Sequence, residues 1–551
     1  MTTPMTLFDH LEHARQGARV VLREKRTPSP YGQAILDDIL SGERAITVGA
    51  TAGSGKTTLL EMIADLIETH DLVPPGDKVG FLAFNQHIVK ELRKRIPKTF
   101  DIRTVSSLGH LLCKEQMPDL KFEPRKYEDL TRDIVRDSGI PSPAARRELH
   151  DRLSACLNLH VGHDLGLSID LPAWVEAMDA VDAPILGAEE ALHRLMLRVL
   201  RHGLKLLRDQ QVMSFTDQVL APMTFGWRLG TPYRFLLIDE LQDLSRAQLR
   251  LLQAATDEGS RIVGVGDANQ SLYAFNGADA DSMARFTQVF GAVTRPLSIT
   301  YRCPTRHVTL ARPFTDAIEA APGAPLGSLD DLTGEEFLDL AQPGDLALCR
   351  TNAPLIDWCY RLVTQGTPAI VRGRDLAKNL VAFARDAATF DGVKPHRDRV
   401  KDSLPLDDIH EQLNAYADFL AARAIRDAER EGKDPGLRIA GIADRLAAIM
   451  RVLEAGEART LGDLTQNIRL LFQGDPERSV VLSTVHRAKG LEAERVFILE
   501  PQLLPHPKAQ SPQALDAERC LQFVAYTRSK RELYFVDAPE SRIPDDLRGR
   551  E

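Results

Sequence analysis

The sequence predicts an α/β protein of parallel sheets covered by helices, and three observations carry that expectation. Short apolar strand patterns alternate with amphipathic helical runs along most of the chain. One strand runs through a Gly-rich loop directly into a helix, and two long helical stretches interrupt the alternation. The length of 551 residues leaves room for roughly three or four compact units. Hydrophobic residues at 43% and charged residues at 27% match an ordinary globular chain, which excludes global disorder and a fibrous repeat.

In chain order, Leu7 to Arg26 reads as a basic amphipathic lead-in helix that stops at Pro28-Ser29-Pro30, because proline and its predecessor resist helical geometry. A strand at Ala45 to Gly49 meets the Gly-rich loop and the helical run Thr57 to Thr69. A strand at Val79 to Phe84 precedes a helix ending near Ile96. Further strands are expected at Phe235–Ile238, Arg261–Gly266, Asp345–Cys349, Val480–Ser483, Arg495–Leu499 and Glu532–Val536. Residues 106–210 and 376–475 are helical in pattern and read as insertions. In the second, Ile409, Leu413, Tyr416 and Leu420, then Ile442, Leu446, Ile449 and Leu453 after the Gly432–Gly436 turn, predict two helices folded back on each other.

Charge and cysteine usage narrow the function classes. Lys plus Arg is 69 against 78 for Asp plus Glu, a net charge of −9, so a polyanion site has to be a local groove. The six cysteines, at 113, 156, 303, 349, 359 and 520, form no C-x-x-C, which argues against a disulfide scaffold or zinc ribbon and for buried free thiols. No apolar run approaches the roughly 20 residues that span a bilayer, and the N-terminus lacks a secretory core. A cytoplasmic protein with no membrane partner is expected.

The loop carries the first chemistry. Ala50-Thr51-Ala52-Gly53-Ser54-Gly55-Lys56-Thr57, followed by Thr58, sits where a strand ends and a helix begins. There, backbone N–H groups and the helix dipole favour a phosphate. Lys56 is expected to reach the β- and γ-phosphates of ATP and Thr57 to ligate Mg²⁺. Ala50 replaces the glycine that usually opens this P-loop pattern. The apolar run Phe235–Ile238 delivers Asp239 and Glu240 at a strand tip, where ligands gather in parallel sheets. Asp239 suits the metal, and Glu240 suits polarisation of the attacking water.

Six blocks in order, the first of them holding this pair, follow the P-loop. D-E-L-Q-D (Asp239–Asp243) is followed by G-D-A-N-Q-S-L-Y-A-F-N-G-A (Gly266–Ala278) and Tyr301-Arg302-Cys303-Pro304. R-T-N-A (Arg350–Ala353), T-V-H-R-A-K-G-L-E (Thr484–Glu492) and V-A-Y-T-R-S-K (Val524–Lys530) complete the set. With the P-loop, these resemble the UvrD/Rep-type helicases of superfamily 1A, in a compact UvrD-like form, from about Gln33 to Phe535. The D-E-x-Q-D and V-H-x-x-K-G-L-E forms look like the 3′-to-5′ branch.

The resemblance implies two RecA-like P-loop domains, each with an inserted helical domain. Residues 1–105 and 211–295 form the first, interrupted by 106–210. Residues 296–375 and 476–551 form the second, interrupted by 376–475. Lys56 and Asp239 are 183 residues apart and Arg302 and His486 are 184 apart, which leaves room for both insertions. It also implies that Gln270 senses the γ-phosphate, Gln33 reads adenine, Tyr301 stacks on the base and Glu492 meets the ribose. Arg302 and Arg528 match arginine fingers, cations that meet charge developing on the γ-phosphate.

Phe84, Asn85, Tyr273, Phe275, Asn352 and His486 match positions that contact DNA, where aromatic faces stack on bases. Phe275 and Asn276 stand where the family often has Trp and Arg, and Thr104–Leu108 departs from the usual T-x-H-S. Basic clusters at Arg93–Arg95 and along Arg194, Arg198, Arg201, Lys205 and Arg208 read either as a backbone track or as a solvated face.

The implied activity is ATP-dependent 3′-to-5′ translocation on single-stranded DNA or a tailed duplex, with the 376–475 insertion as a candidate protein-docking arm. An RNA translocase, a nucleotide-gated binding or signalling subunit and a small-molecule kinase are the rival readings.

Overall fold

The computed structural model describes residues 27–549 apart from 84–85, 180–182, 184, 186, 272–280, 397–398, 432–433 and 456–457. The lead-in helix expected over Leu7–Arg26, and residues 432–433 of the expected turn, lie outside the described residues. The chain divides into two compact units, Met1–Ile299 and Thr300–Glu551.

The first unit is built on six strands: β1 (Ala45–Ala50), β2 (Lys78–Ala83), β3 (Phe100–Thr104), β4 (Tyr233–Ile238), β5 (Arg261–Gly266) and β6 (Val293–Leu297). They pair in the order β3-β2-β4-β5-β1-β6, every neighbour parallel. Registers such as Val48 with Val265 and Phe81 with Leu237 align the buried runs. β1, β4 and β5 are almost wholly buried because helices cover both faces, so their sequences are continuous apolar runs. Since β4, β5 and β1 are neighbours, the loops leaving their C-terminal ends converge, at a point where sequence order and spatial order part.

Between β3 and β4 lies the helical insertion, with helices Val105–Gln116, Lys126–Arg136, Pro143–Gly162, Leu171–Asp179, Glu189–Gln210 and Phe215–Phe225. It has its own core around Trp174, Met196, Leu200 and Leu153. A buried ion pair braces it: Lys126 Nζ lies 2.5 Å from Asp217 Oδ2, with both side chains almost completely enclosed. Lys126 also donates to the carbonyls of Gly203 and Val212, and Tyr127 donates its hydroxyl to Asp217, so the buried charges are compensated.

The second unit repeats the plan. Strands β7 (Ser328–Leu332), β8 (Leu346–Cys349), β9 (Ala369–Val371), β10 (Val480–Thr484), β11 (Ala493–Leu499) and β12 (Ser529–Val536) pair in the order β7-β12-β11-β8-β10-β9, all parallel. Helices Arg374–Ala387, Ile409–Glu431, Gly436–Ala455 and Leu461–Leu470 form the insertion between β9 and β10. The two long helices pack on each other, with Leu413, Tyr416, Ile442 and Ile449 buried in a core continuous with that of the sheet. The molecule is therefore α/β, with two RecA-like parallel-sheet units that each carry a mainly helical insertion. All six cysteines are free and five are buried. No helix among the described residues is long and apolar enough to cross a membrane.

Candidate functional site

The P-loop joins β1 to the helix Lys56–Thr69. Gly53 and Gly55 take φ of 71° and 83°, in the left-handed region where glycine avoids strain, and they let the loop curl back on itself. The Thr51 N–H donates to Leu297 on β6, and Ser54 Oγ donates to the Thr51 carbonyl, which fixes the curl. Ala50, Thr51, Ala52 and Ser54 are buried, while Lys56 and Thr57 are half-buried and Thr58 is exposed. The helix starts at Gly55 with no side-chain cap. Thr51 Oγ1 is buried with no hydrogen-bond partner among the described residues. An uncapped helix start beside an orphaned hydroxyl and a lysine fits a bound phosphate chain.

β4 delivers Asp239, only 4% exposed, with Oδ2 3.5 Å from Thr57 Oγ1. Its other oxygen accepts the Glu240 N–H at 2.9 Å. Burial, and next the Glu240 charge, push the Asp239 carboxyl up to about 7, with Lys56 opposing. Asp267, at the end of β5, is also raised by burial and also opposed by Lys56. Two buried acids facing one lysine leave the pocket short of positive charge, and with Thr57 Oγ1 as a neutral oxygen donor the set fits Mg²⁺.

Glu240 has a left-handed backbone, φ 54°, uncommon for a residue with a side chain. Gln242 ties the ends of β4 and β5: its amide nitrogen donates to Glu240, and its Oε1 accepts the Asp267 N–H at 2.9 Å. This needs glycine at 266, where a Cβ would meet Gln242 Oε1 at 2.6 Å. Gln270 is buried and donates to Asp267 at 2.6 Å. Gln33 lies on the helix Pro30–Leu40, which packs on the P-loop helix, and its amide nitrogen donates to Asp37 at 2.7 Å.

In the second unit, Tyr301 is 60% exposed, and beside it Arg302 Nε donates to Glu492 at 2.7 Å. Arg302 also donates to the Thr527 carbonyl at 3.3 Å, and Lys530 sits 2.8 Å from the second Glu492 oxygen. Burial acts to raise Glu492, yet Lys530 and Arg302 together hold it below the usual carboxylate range. Arg528 is enclosed: it donates to the Val524 carbonyl at 2.9 Å and to Thr527 Oγ1 at 3.1 Å. Arg302 and Arg528 thus meet at Thr527, with Glu492 bound to Arg302.

Asn352 opens the helix Ala353–Thr364, and its position is set by Asp444 on the helix Gly436–Ala455. Asp444 accepts from the Asn352 side chain at 2.7 Å and from the backbone N–H groups of Asn352 and Ala353. Arg350, Asn352, Asp444, Arg445, Arg487 and His506 line a cavity of about 360 Å³. His486 is pushed down to about 4 by burial and then by Arg350, so it is neutral at physiological pH. Phe84, Asn85, Tyr273 and Phe275 lie outside the described residues.

Sequence reasoning assigned no role to Gln242, Asp267, Asp444 or Lys530. Asp267 carries the signal that singled out Asp239, an acid at the tip of an apolar strand. Asp444 carries none, being one acid within a helix.

Residues 33–276 match the family model of an AAA domain, and residues 409–539 match that of the UvrD-like helicase C-terminal domain. The chain is 24% identical over 566 residues to the ATP-dependent DNA helicase UvrD2 of Mycobacterium tuberculosis (strain ATCC 25618 / H37Rv), covering 90% of this chain and 77% of that protein. It is 23% identical over 619 residues to a probable DNA helicase II homolog of Rickettsia felis, covering 90% of each. DNA helicase IV of Escherichia coli (strain K12) is 23% identical over 352 residues, 55% of this chain and 49% of the relative. The P-loop and its acids lie within the first model match and Glu492 and Arg528 within the second, and on this evidence the chain belongs to the UvrD-like superfamily 1A helicases.

Proposed function

We propose that the chain is an ATP-dependent DNA helicase that moves 3′ to 5′ on single-stranded DNA, with one ATP served by residues of both units. The observation that carries this reading is the P-loop with its uncapped helix start, where half-buried Thr57 meets the buried Asp239. Lys56 and the loop N–H groups bind the β- and γ-phosphates, and Gln33 and Tyr301 hold the base. Mg²⁺, held by Thr57 and Asp239, supplies charge neutralisation at the phosphates. Glu240 orients water toward the γ-phosphate, while Gln270, held by Asp267, senses its presence.

Arg302 and Arg528 meet the charge that develops as the bond to the γ-phosphate breaks. Glu492 tethers Arg302 beforehand, which reduces the cost of ordering that long side chain at the moment of reaction. Asn352, neutral His486 and the aromatic positions grip the strand by backbone contacts and stacking, without sequence preference. Domain closure biased by the γ-phosphate then converts each hydrolysis into a step.

The test is Lys56→Ala beside the parent, with DNA-stimulated ATPase and unwinding of 3′-tailed and 5′-tailed duplexes. The parent is expected to open the 3′-tailed duplex alone, and Lys56→Ala to lose turnover while keeping strand binding. Parent-level turnover by Lys56→Ala, or preference for the 5′ tail, defeats the reading.

A further inference from the structure

The helix Glu189–Gln210 buries Leu192, Met196, Val199, Leu200, Leu204 and Leu207 in the core of its insertion. The opposite face is fixed by that burial, and it carries Arg194, Arg198, Arg201, Lys205 and Arg208, all exposed. Their spacings of 4, 3, 4 and 3 place five cations on one stripe, about 21 Å long at 1.5 Å per residue. We infer that this stripe is a docking surface for the phosphate backbone of duplex DNA. The choice of DNA rests on the helicase reading above.

Three observations carry the inference. First, Arg194, Arg198 and Lys205 have no ion pair among the described residues, whereas Arg208 is 3.0 Å from Asp209 and Arg201 donates to the Leu167 carbonyl. A solvated helix face ordinarily intersperses acids at three- and four-residue spacing, and like charges at that spacing work against the helix itself. Here the only acids of the helix are Glu189 and Glu190 in its first turn and Asp209 at its end. Second, the whole chain carries a net charge of −9, so the stripe is a local concentration and no part of a general cationic surplus. Third, the helix contains no Phe, Tyr or Trp. A single-strand platform combines cations with aromatic faces, whereas a straight, rigid row of cations alone matches backbone contact that ignores the bases. The duplex ahead of a strand-tracking motor presents such a backbone.

The test is the triple variant Arg194→Gln, Arg198→Gln, Lys205→Gln in the full chain. Affinity for a blunt DNA duplex and for a single strand of equal length is measured across a NaCl series, beside single-strand-stimulated ATPase. The variant is expected to flatten the log–log salt slope for duplex by about 3, one per phosphate contact removed, and to weaken duplex binding roughly tenfold or more. Single-strand affinity and stimulated ATPase are expected to stay at the parent level. An unchanged duplex slope overturns the inference, and so does an equal loss on the single strand. Failure of the parent to hydrolyse ATP with single-stranded DNA would instead defeat the helicase reading, so the two can fail separately.

Discussion

At Asp239 burial and a neighbouring acid act on the same carboxyl. Its carboxyl is raised to about 7, first by burial and then by the neighbouring Glu240. From about pH 4 to about pH 7 the folded chain keeps a proton that the unfolded chain has already released. Stability therefore falls as pH rises through that window, and the whole loss is present above it. A shift of that size corresponds to roughly 2–4 kcal/mol once coupling to Glu240 is allowed for. Asp239→Asn removes the ionisation and keeps the shape. It is expected to raise the melting temperature of the nucleotide-free protein at pH 8, to lose that advantage near pH 4, and to abolish ATP turnover. A thermal shift that is the same at both pH values would mean that the Asp239 charge is not the source of the cost.

At the scale of the elements, what the sequence discloses depends on a strand's place in its sheet. The eight strands expected from apolar runs are the four inner strands of each sheet, apart from end residues. Within the two six-stranded sheets the strands not foreseen, Phe100–Thr104, Val293–Leu297, Ser328–Leu332 and Ala369–Val371, are the four edges. Inner strands are covered on both faces and read as unbroken hydrophobic runs. Edges are partly solvated, as in the Phe-Asp-Ile-Arg-Thr alternation, or interrupted, as by Pro296. The same logic governs the site. Lys56, Thr57, Asp239 and Glu240 were legible because a strand tip announces each, whereas the Asp444 contact to Asn352 joins residues 92 apart and leaves no local trace.

Packing inside the helical insertion was equally hidden. Gly203 sits mid-helix, where glycine is a poor helix former, and a Cβ there would run into the Tyr127 ring. That ring cannot move aside without giving up its 2.8 Å bond to the buried Asp217. Gly203→Ala is therefore expected to destabilise the protein by about 1–3 kcal/mol despite the gain in helix propensity, read as a lower urea midpoint. A midpoint equal to or above the parent's would show that the ring has room to yield.

The whole molecule divides the proposed chemistry between its units: Lys56 belongs to one and Arg302 to the other. A double-mutant cycle tests whether they serve the same triphosphate. Arg302 is held by Glu492 and the Thr527 carbonyl at a partly exposed position, so Arg302→Ala is expected to cost at most about 1 kcal/mol of stability. Any large loss of turnover then reflects chemistry. The single variant is expected to slow hydrolysis roughly a thousandfold or more, the range of an arginine finger, with nucleotide affinity little changed. Groups that stabilise one transition state act as a set, and once one is gone the other has little left to stabilise. Lys56→Ala with Arg302→Ala should thus be hardly slower than Lys56→Ala alone in single-turnover hydrolysis. If the two losses multiply, the residues act on separate events, and the proposal that both units serve one ATP fails.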